Sequence, residues 1–268
     1  EGPDAGHGTH VAGIVAAMRN GSGVDGVAPA VRIMTLRTVP DGDERDKDVA
    51  NAIRYAVDNG ARVVNMSFGK SHSPQKSVVD EAVRYAESKN VLLVHAAGND
   101  GEDLNQAGNF PNQDYAAGGR ASNWIEVGAS SWHGESLAAD FTNYGRGRVD
   151  VFAPGVSILS TVPDAGYGRN DGTSMAAPVV TGVAATLLAG DGPVEEVDLA
   201  QRLDLLLDQL HRQRLLFAAA DERQLHLFAG LARVSDDGAH VSLPGWGSGS
   251  RLRFGLAACA CAWASKAV

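Results

Sequence analysis

Ser174 has the local sequence of a catalytic nucleophile. It lies in segment 172–178 (GTSMAAP), where small residues lead into an apolar stretch that predicts a helix. Small neighbours let a substrate main chain approach the hydroxyl, and a helix N-terminus carries N–H groups that stabilise a developing negative charge. Gly-Thr-Ser alone more often marks a capped helix start, but the seven-residue segment is far more specific and favours nucleophilic catalysis.

A histidine close to the start of the chain could serve as the base. His7 opens segment 6–17 (GHGTHVAGIVAA), whose small and β-branched residues predict a helix buried on most sides. Histidine suits general-base catalysis because it gains and loses a proton near neutral pH. A lone histidine can also have a purely structural role. A second alternative is a zinc site formed by His7 and His10, but the glutamate that zinc-protease helices carry is missing.

The elements between these residues alternate in type. Apolar, β-branched runs predict strands, and runs with apolar residues at helical spacing predict helices. In chain order the predicted elements are a strand at 31–38, a helix at 49–57, a strand at 62–67, a helix at 78–89 and a strand at 91–97. This order predicts an α/β fold with a mostly parallel central sheet and helices on both faces.

Two predicted strands end in small or polar residues. The strand at 62–67 runs into Phe68-Gly69, and the strand at 91–97 runs into Gly98-Asn99. Functional residues of parallel sheets collect at the carboxyl ends of the strands. The helix predicted at 174–188 carries no charged side chain, so it should lie in the centre of the domain.

Composition excludes several classes of function. The chain has 268 residues and a net charge of −9, which disfavours nucleic acids and anionic membranes as partners. The chain contains no run of eighteen apolar residues, so the sequence predicts no membrane-spanning helix. Cys259 and Cys261 are the only cysteines, so a disulfide framework and a four-cysteine zinc site are excluded. The oligomeric state stays open.

Together the motifs resemble those of the subtilisin-like serine proteases (subtilases), over about residues 6–189. Residues 7–13 (HGTHVAG) resemble the histidine motif of this family, 172–178 its serine motif, and 96–99 (AAGN) the segment that supplies an oxyanion-hole asparagine. The similarity extends to segments 24–29 (VDGVAP), 65–69 (NMSFG) and 151–157 (VFAPGVS).

The resemblance implies a serine endopeptidase that forms an acyl-enzyme with protein or peptide substrates. His7 would take the proton of Ser174 and return it to the leaving amine, and Asn99 would hold the oxyanion together with the N–H of Ser174. The residues that would bind the substrate are Ser67, Phe68, Gly69, Ala96, Ala97 and Gly98.

One part of the family pattern is missing. The family orients its histidine with an aspartate at the end of an earlier strand, in an Asp-Ser/Thr-Gly context. Only six residues precede His7, and Asp4-Ala5-Gly6 is not that motif. We therefore expect a chain truncated before this aspartate, without the first strand or strands of the sheet, and inactive or weak by itself, since losing the aspartate costs about 10⁴ in kcat.

The resemblance also bears on metal binding and location. The loop at 18–24 resembles the calcium-binding loop of secreted subtilisins, with Asn20 as a side-chain ligand and main-chain carbonyls of Met18, Ser22 and Val24 as the others. A glycine-rich turn without metal is the alternative. No organic cofactor is implied. Secretion or a cell-envelope location is implied, with the signal region outside the chain.

The resemblance divides the chain into three parts. Residues 1–189 form a peptidase domain that is incomplete at its N-terminus, and 190–210 contain an amphipathic helix expected to pack on that domain. Residues 211–268, Leu-rich and then irregular, stay unassigned.

Two other functions remain open. A subtilase-like pseudo-peptidase or peptide-binding module would hold peptides without cutting them, but the intact His7, Asn99 and Ser174 argue against it. An acid-active relative would carry a glutamate base and an oxyanion-hole aspartate in place of His7 and Asn99.

Overall fold

The computed structural model describes residues 5–39, 42–132 and 137–189, together with the strands at 233–234, 241–242 and 258–263. The elements, in chain order, are α1 (Gly6–Ala16), β1 (Arg32–Arg37), α2 (Asp46–Asp58), β2 (Val63–Met66), α3 (Lys76–Ser88), β3 (Leu92–Ala96), β4 (Trp124–Ser130), β5 (Val151–Pro154), β6 (Ile158–Val162), β7 (Gly166–Asn170), α4 (Thr173–Ala189), β8 (Arg233–Val234), β9 (Val241–Ser242) and β10 (Ala258–Trp263).

The chain divides into two compact units. One comprises residues 1–186 and 257–268, and the other comprises residues 187–256. Within the second unit β8 and β9 pair antiparallel. The predicted packing helix in 190–210 lies outside the described residues.

A parallel sheet of six strands forms the centre of the first unit. Its order is β1-β10-β2-β3-β4-β5, and every neighbouring pair is parallel. The predicted α/β class with a mostly parallel sheet is therefore confirmed.

Strand β10 comes from segment 211–268, for which the sequence provides no assignment. Ala260 of β10 lies opposite Met34 of β1 and Val64 of β2, so the strand occupies an interior place in the sheet. A run of alanine and cysteine lacks the apolar–polar alternation that predicts a strand. The strands that pair with β10 lie far away in sequence, so the local sequence does not indicate the pairing.

Helices cover both faces of the sheet. Val64 and Met66 of β2 join the apolar cluster that α2 and α3 bury against the sheet. Asn65, between them in sequence, points to the other face, where the hydroxyl of Thr181 in α4 donates to Asn65 Oδ1 over 2.8 Å. Both β2 and β3 are buried throughout, as expected of a parallel sheet enclosed between helices.

Helix α1 is held against the β6–β7 hairpin. The hydroxyls of Ser160 and Thr161 donate to the main-chain carbonyls of His10 and Thr9 over 2.7 and 2.9 Å. A Cβ atom on Gly13 would lie 2.1 Å from Thr161 Oγ1, so this close approach requires glycine. The hairpin thereby fixes the helix that carries His7.

In the part of the chain that the structure describes, no helix is long and apolar enough to cross a membrane.

Candidate active site

A cleft of about 930 Å³ lies at the carboxyl edge of the sheet. His7 from α1, Asn99 after β3 and Ser174 from α4 all line it. These residues are 167 positions apart at most in sequence, and the fold brings them together as the ends of parallel strands meet the start of α4.

Ser174 is fixed by a reciprocal pair of hydrogen bonds with Ser67. Ser174 Oγ donates to the Ser67 carbonyl over 3.3 Å, and Ser67 Oγ donates to the Ser174 carbonyl over 2.9 Å. The second bond has a local cause in Pro178, which lies four residues after Ser174 inside α4 and has no N–H to donate to that carbonyl. Ser67 supplies the missing donor.

Asn99 has a defined orientation. Its Oδ1 accepts from the main-chain N–H of Thr173 over 2.8 Å and from the Thr173 hydroxyl over 2.9 Å. The same hydroxyl oxygen accepts from the N–H of Gly98 over 3.1 Å. Because Oδ1 is held by two donors, Nδ2 is the part of the carboxamide that remains for a ligand.

Two N–H donors converge over Gly172. A Cβ atom built there would lie 3.5 Å from Asn99 Nδ2 and 3.6 Å from the main-chain N of Ser174. Gly172 has φ +144°, a conformation that favours glycine. The absence of a side chain leaves a space between the two donors, and an oxyanion of a tetrahedral intermediate needs such a space.

His7 lies in the first turn of α1 and is half-buried. It lines the cleft, whereas His10, three residues later, faces away and is fully buried. His10 Nε2 bonds to the carbonyls of Ile158 and Gly168 at 3.0 and 3.1 Å. Burial lowers the pKa of His10, although both carbonyls oppose this. The structure gives no support to the zinc alternative for His7 and His10, because no third ligand joins them among the described residues.

Five of the six residues predicted to bind substrate line the cleft, namely Ser67, Phe68, Gly69, Ala96 and Gly98. Ala97 does not line it. It is fully buried, its N–H donates to Val127, and its carbonyl accepts from Asn143. The main chain turns inward at Ala97 before it returns to the cleft at Gly98.

Asn109 is a cleft residue that sequence reasoning missed. Its Nδ2 donates to the Ala96 carbonyl over 3.0 Å, and a Cβ atom on Gly69 would lie 2.2 Å from its Oδ1. Asn109 thus connects the two strand ends. Its only sequence signal is a loop rich in asparagine, glycine and proline.

The cleft is strongly acidic, which the sequence did not indicate either. Lys70, the one lysine among the described residues that line the cleft, pairs with Asp46 at 2.7 Å and donates to the Glu44 carbonyl. Glu44 itself is 4% exposed, and its burial raises the pKa of its carboxyl group. The acidic residues that line the cleft are Asp43, Glu44, Asp100, Glu102 and Asp171.

The predicted calcium loop is exposed and uses its side-chain oxygen locally. Asn20 Oδ1 accepts from the N–H of Ser22 over 3.0 Å. Met18, Ser22 and Val24 could add only neutral carbonyl oxygens, whereas calcium takes six to eight oxygen ligands. These residues alone do not make a calcium site. Among the described residues, no group of three or more His, Cys, Asp or Glu side chains could hold a metal ion.

Comparison with known proteins gives a consistent result. The model of the subtilase family matches residues 1–220. A thermophilic serine proteinase of Bacillus sp. (strain AK1) is 40% identical over 207 residues, which are 76% of this chain and 47% of that protein. Subtilisin BL of Lederbergia lenta is 40% identical over 181 residues, 67% of this chain and 62% of that protein.

Solved structures agree. The structure of Sphericase has a TM-score of 0.63 and 31% identity, covering 75% of this chain and 69% of the other. A cold-adapted subtilisin-like serine proteinase has a TM-score of 0.58 and 32% identity, covering 73% and 66%. The chain spans about half the length of the Bacillus proteinase. A family match over most of the chain and the shared fold establish that this protein belongs to the subtilase family.

Proposed function

We propose that this protein is a serine endopeptidase that cleaves peptide bonds through an acyl-enzyme on Ser174. The observation that carries the proposal is the convergence of Asn99 Nδ2 and the N–H of Ser174 on the space over Gly172. A peptide-binding module needs no such pair of donors, whereas acyl transfer gains most of its electrostatic stabilisation from them.

The reaction assigns one task to each residue. His7 accepts the hydroxyl proton as Ser174 Oγ attacks the peptide carbonyl, and the oxyanion forms between the two N–H donors. The tetrahedral intermediate collapses as His7 gives the proton to the leaving amine. Water, deprotonated by His7, then attacks the ester and releases the carboxylate product and the free hydroxyl. The carboxylate that would orient His7 is not assigned to a residue of this chain.

Proteins or peptides are the proposed substrates, and secretion or a cell-envelope location follows from the likeness to subtilisins. Calcium would bind the loop at 18–24 only with ligands beyond Met18, Asn20, Ser22 and Val24.

Active-site labelling tests the proposal. A fluorophosphonate probe should label the full-length protein, and Ser174→Ala should abolish labelling. Asn105→Ala, an exposed asparagine outside the cleft, is the control and should be labelled like the parent protein. Equal labelling of the Ser174→Ala variant would overturn the assignment of the nucleophile. Peptide binding without labelling or cleavage would establish the peptide-binding alternative instead.

A further inference from the structure

A buried histidine that the proposed mechanism does not use lies directly behind the cleft wall. His95 of β3 is fully buried. Its Nε2 lies 2.8 Å from the carbonyl oxygen of Phe68, and its Nδ1 lies 2.8 Å from Oε1 of Glu126 on β4. The ring therefore connects the wall of the cleft to the next strand of the sheet.

The hydrogen-bond inventory fixes where protons must lie. A carbonyl oxygen only accepts, so His95 Nε2 carries a proton that it donates to Phe68. Nδ1 and Glu126 Oε1 are within hydrogen-bond distance, so a second proton lies between them, on one atom or the other.

Glu126 is itself held in place. Its side chain is 4% exposed, and Oε2 accepts from the indole N–H of Trp124 over 2.7 Å. The Trp124 ring lies 5.3 Å from the His95 ring, centroid to centroid, and the Phe68 ring packs edge-on at 6.3 Å. Every polar side-chain atom of the pair has a partner, as a stable buried polar network requires.

The bond from His95 determines the direction of one peptide group in the cleft wall. The Phe68 carbonyl points to the interior, where His95 binds it. The preceding carbonyl, that of Ser67, accepts from Ser174 Oγ. These two contacts fix the main chain of the cleft wall. Gly69, the next residue, lines the cleft and has no side chain of its own to hold it.

We propose that His95 and Glu126 are positioning residues that hold the substrate-binding segment Ser67–Gly69 through the Phe68 carbonyl. This inference rests on the proposed function, since it assigns a role in substrate binding to residues that never touch substrate. Neither residue takes part in the chemistry at Ser174.

The two substitutions of Glu126 separate this role from a general effect on the fold. Glu126→Gln can satisfy every partner, with its amide donating to His95 Nδ1 and its oxygen accepting from Trp124. Glu126→Leu has a similar size but leaves His95 Nδ1 and the Trp124 N–H without partners, which releases the ring.

The experiment compares peptide kinetics and probe labelling in the full-length protein. For Glu126→Leu and His95→Leu we expect KM for an extended peptide to rise roughly tenfold, while kcat and the fluorophosphonate labelling rate change by less than about threefold. Glu126→Gln should restore KM to within about threefold of the parent value. Trp124→Phe, which removes the indole hydrogen bond to Glu126 and keeps an aromatic side chain, serves as the control and should resemble Glu126→Gln.

Several outcomes would overturn the inference. One is a parent-like KM for a folded Glu126→Leu variant, and another is a KM for Glu126→Gln as high as that for Glu126→Leu. If the leucine variants do not fold, Glu126→Asp provides the test, because its shorter carboxylate cannot reach both His95 and Trp124 and should raise KM. Failure of the proposed function would instead appear as absent labelling of the parent protein.

Discussion

At the scale of single residues, the orientation of Asn99, the proposed oxyanion donor, depends on Thr173, which the sequence did not single out. Its main-chain N–H and its hydroxyl both donate to Asn99 Oδ1, and its hydroxyl oxygen accepts from Gly98. The carboxamide can rotate only if it breaks two hydrogen bonds. Its Nδ2 is thus oriented before a substrate arrives, and this preorganisation is what makes such donors effective.

Asn99→Ala should therefore lower kcat far more than it raises KM, because the amide binds charge that exists only in the transition state. We expect a loss of about 10²–10³ in kcat, a magnitude taken from the corresponding experiment on subtilisin, a member of the same family. Steady-state kinetics on a peptide amide would measure it. Equal changes in kcat and KM would count against an oxyanion role.

Gly172→Ala should also reduce kcat, for a steric reason. The new methyl group would enter the space between Asn99 Nδ2 and Ser174 N, and the residue would be strained at φ +144°. Gly118→Ala provides a control, since Gly118 has φ +90° and open space around it. Both variants should lose stability in urea unfolding, but only Gly172→Ala should lose activity; parallel losses of activity would refute the steric explanation.

Glu44 makes stability depend on pH. Burial raises the pKa of its carboxyl above the usual value, so the folded protein binds this proton more tightly than the unfolded protein does. Its contribution to stability is present below the usual pKa of glutamate and is lost as pH rises through the raised pKa. Glu44→Gln should thus raise Tm at pH 7 but not at pH 3.5, as measured by thermal unfolding. An equal effect at both pH values would contradict this.

The sequence singled out the proposed catalytic residues but not the residues behind them. His7, Asn99 and Ser174 stand in specific local motifs, and the structure places all three at one cleft. His95 and Glu126 lie in apolar runs where only the pairing of β3 with β4 makes them neighbours. Their partnership is tertiary, and no local pattern carries it.

At the scale of elements, a proline inside α4 explains the hydrogen bond between the end of β2 and the start of α4. Pro178 leaves the Ser174 carbonyl without its donor in the helix, and Ser67 Oγ donates instead. Asn65 Nδ2 donates in turn to Ser67 Oγ over 2.8 Å. The proline inside α4 thus determines how Ser174 is attached to the sheet.

This arrangement predicts a rescue. Ser67→Ala should destabilise the protein by about 1–3 kcal/mol, because it leaves the Ser174 carbonyl without a donor. Adding Pro178→Ala restores an N–H at that position and should recover much of the loss. Urea unfolding of the two single variants and the double variant measures the coupling. Strict additivity of the two changes would exclude the compensation.

The sequence predicted the helices and strands best where the whole element is buried. The strands predicted at 62–67 and 91–97 are observed at Val63–Met66 and Leu92–Ala96, since runs of buried apolar residues are typical of an enclosed parallel sheet. Helix α2 begins at Asp46, three residues before the predicted start. Its first turn is polar and acidic, which suits a helix N-terminus but carries no apolar periodicity.

At the scale of the whole molecule, the acidic balance of the chain extends to the cleft where substrate would bind. The net charge is −9, and the cleft is lined by five acidic side chains and one lysine that is already paired. A concave surface with one sign of charge attracts ligands of the opposite sign, and salt screens this attraction.

Peptides with lysine or arginine should therefore be cleaved with a higher kcat/KM than neutral analogues of equal length. Neutralising two exposed cleft residues, Asp100→Asn with Glu102→Gln, should reduce this preference by about three- to tenfold at low salt. The control variant Asp58→Asn with Glu81→Gln removes the same charge from an exposed surface away from the cleft. A preference that survives in the cleft variant, or that is insensitive to salt, would exclude electrostatic selection.

The interior position of β10 has a consequence for how the chain folds. Arg32 of β1 pairs with Ala258 of β10, so this contact spans more than two hundred residues. Contacts of such long range close late and slow folding. During synthesis β1 and β2 would each present an unpaired edge until β10 leaves the ribosome, and unpaired edges favour aggregation. The sheet that carries the site is thus completed from its middle, by a strand that follows the other five in the chain.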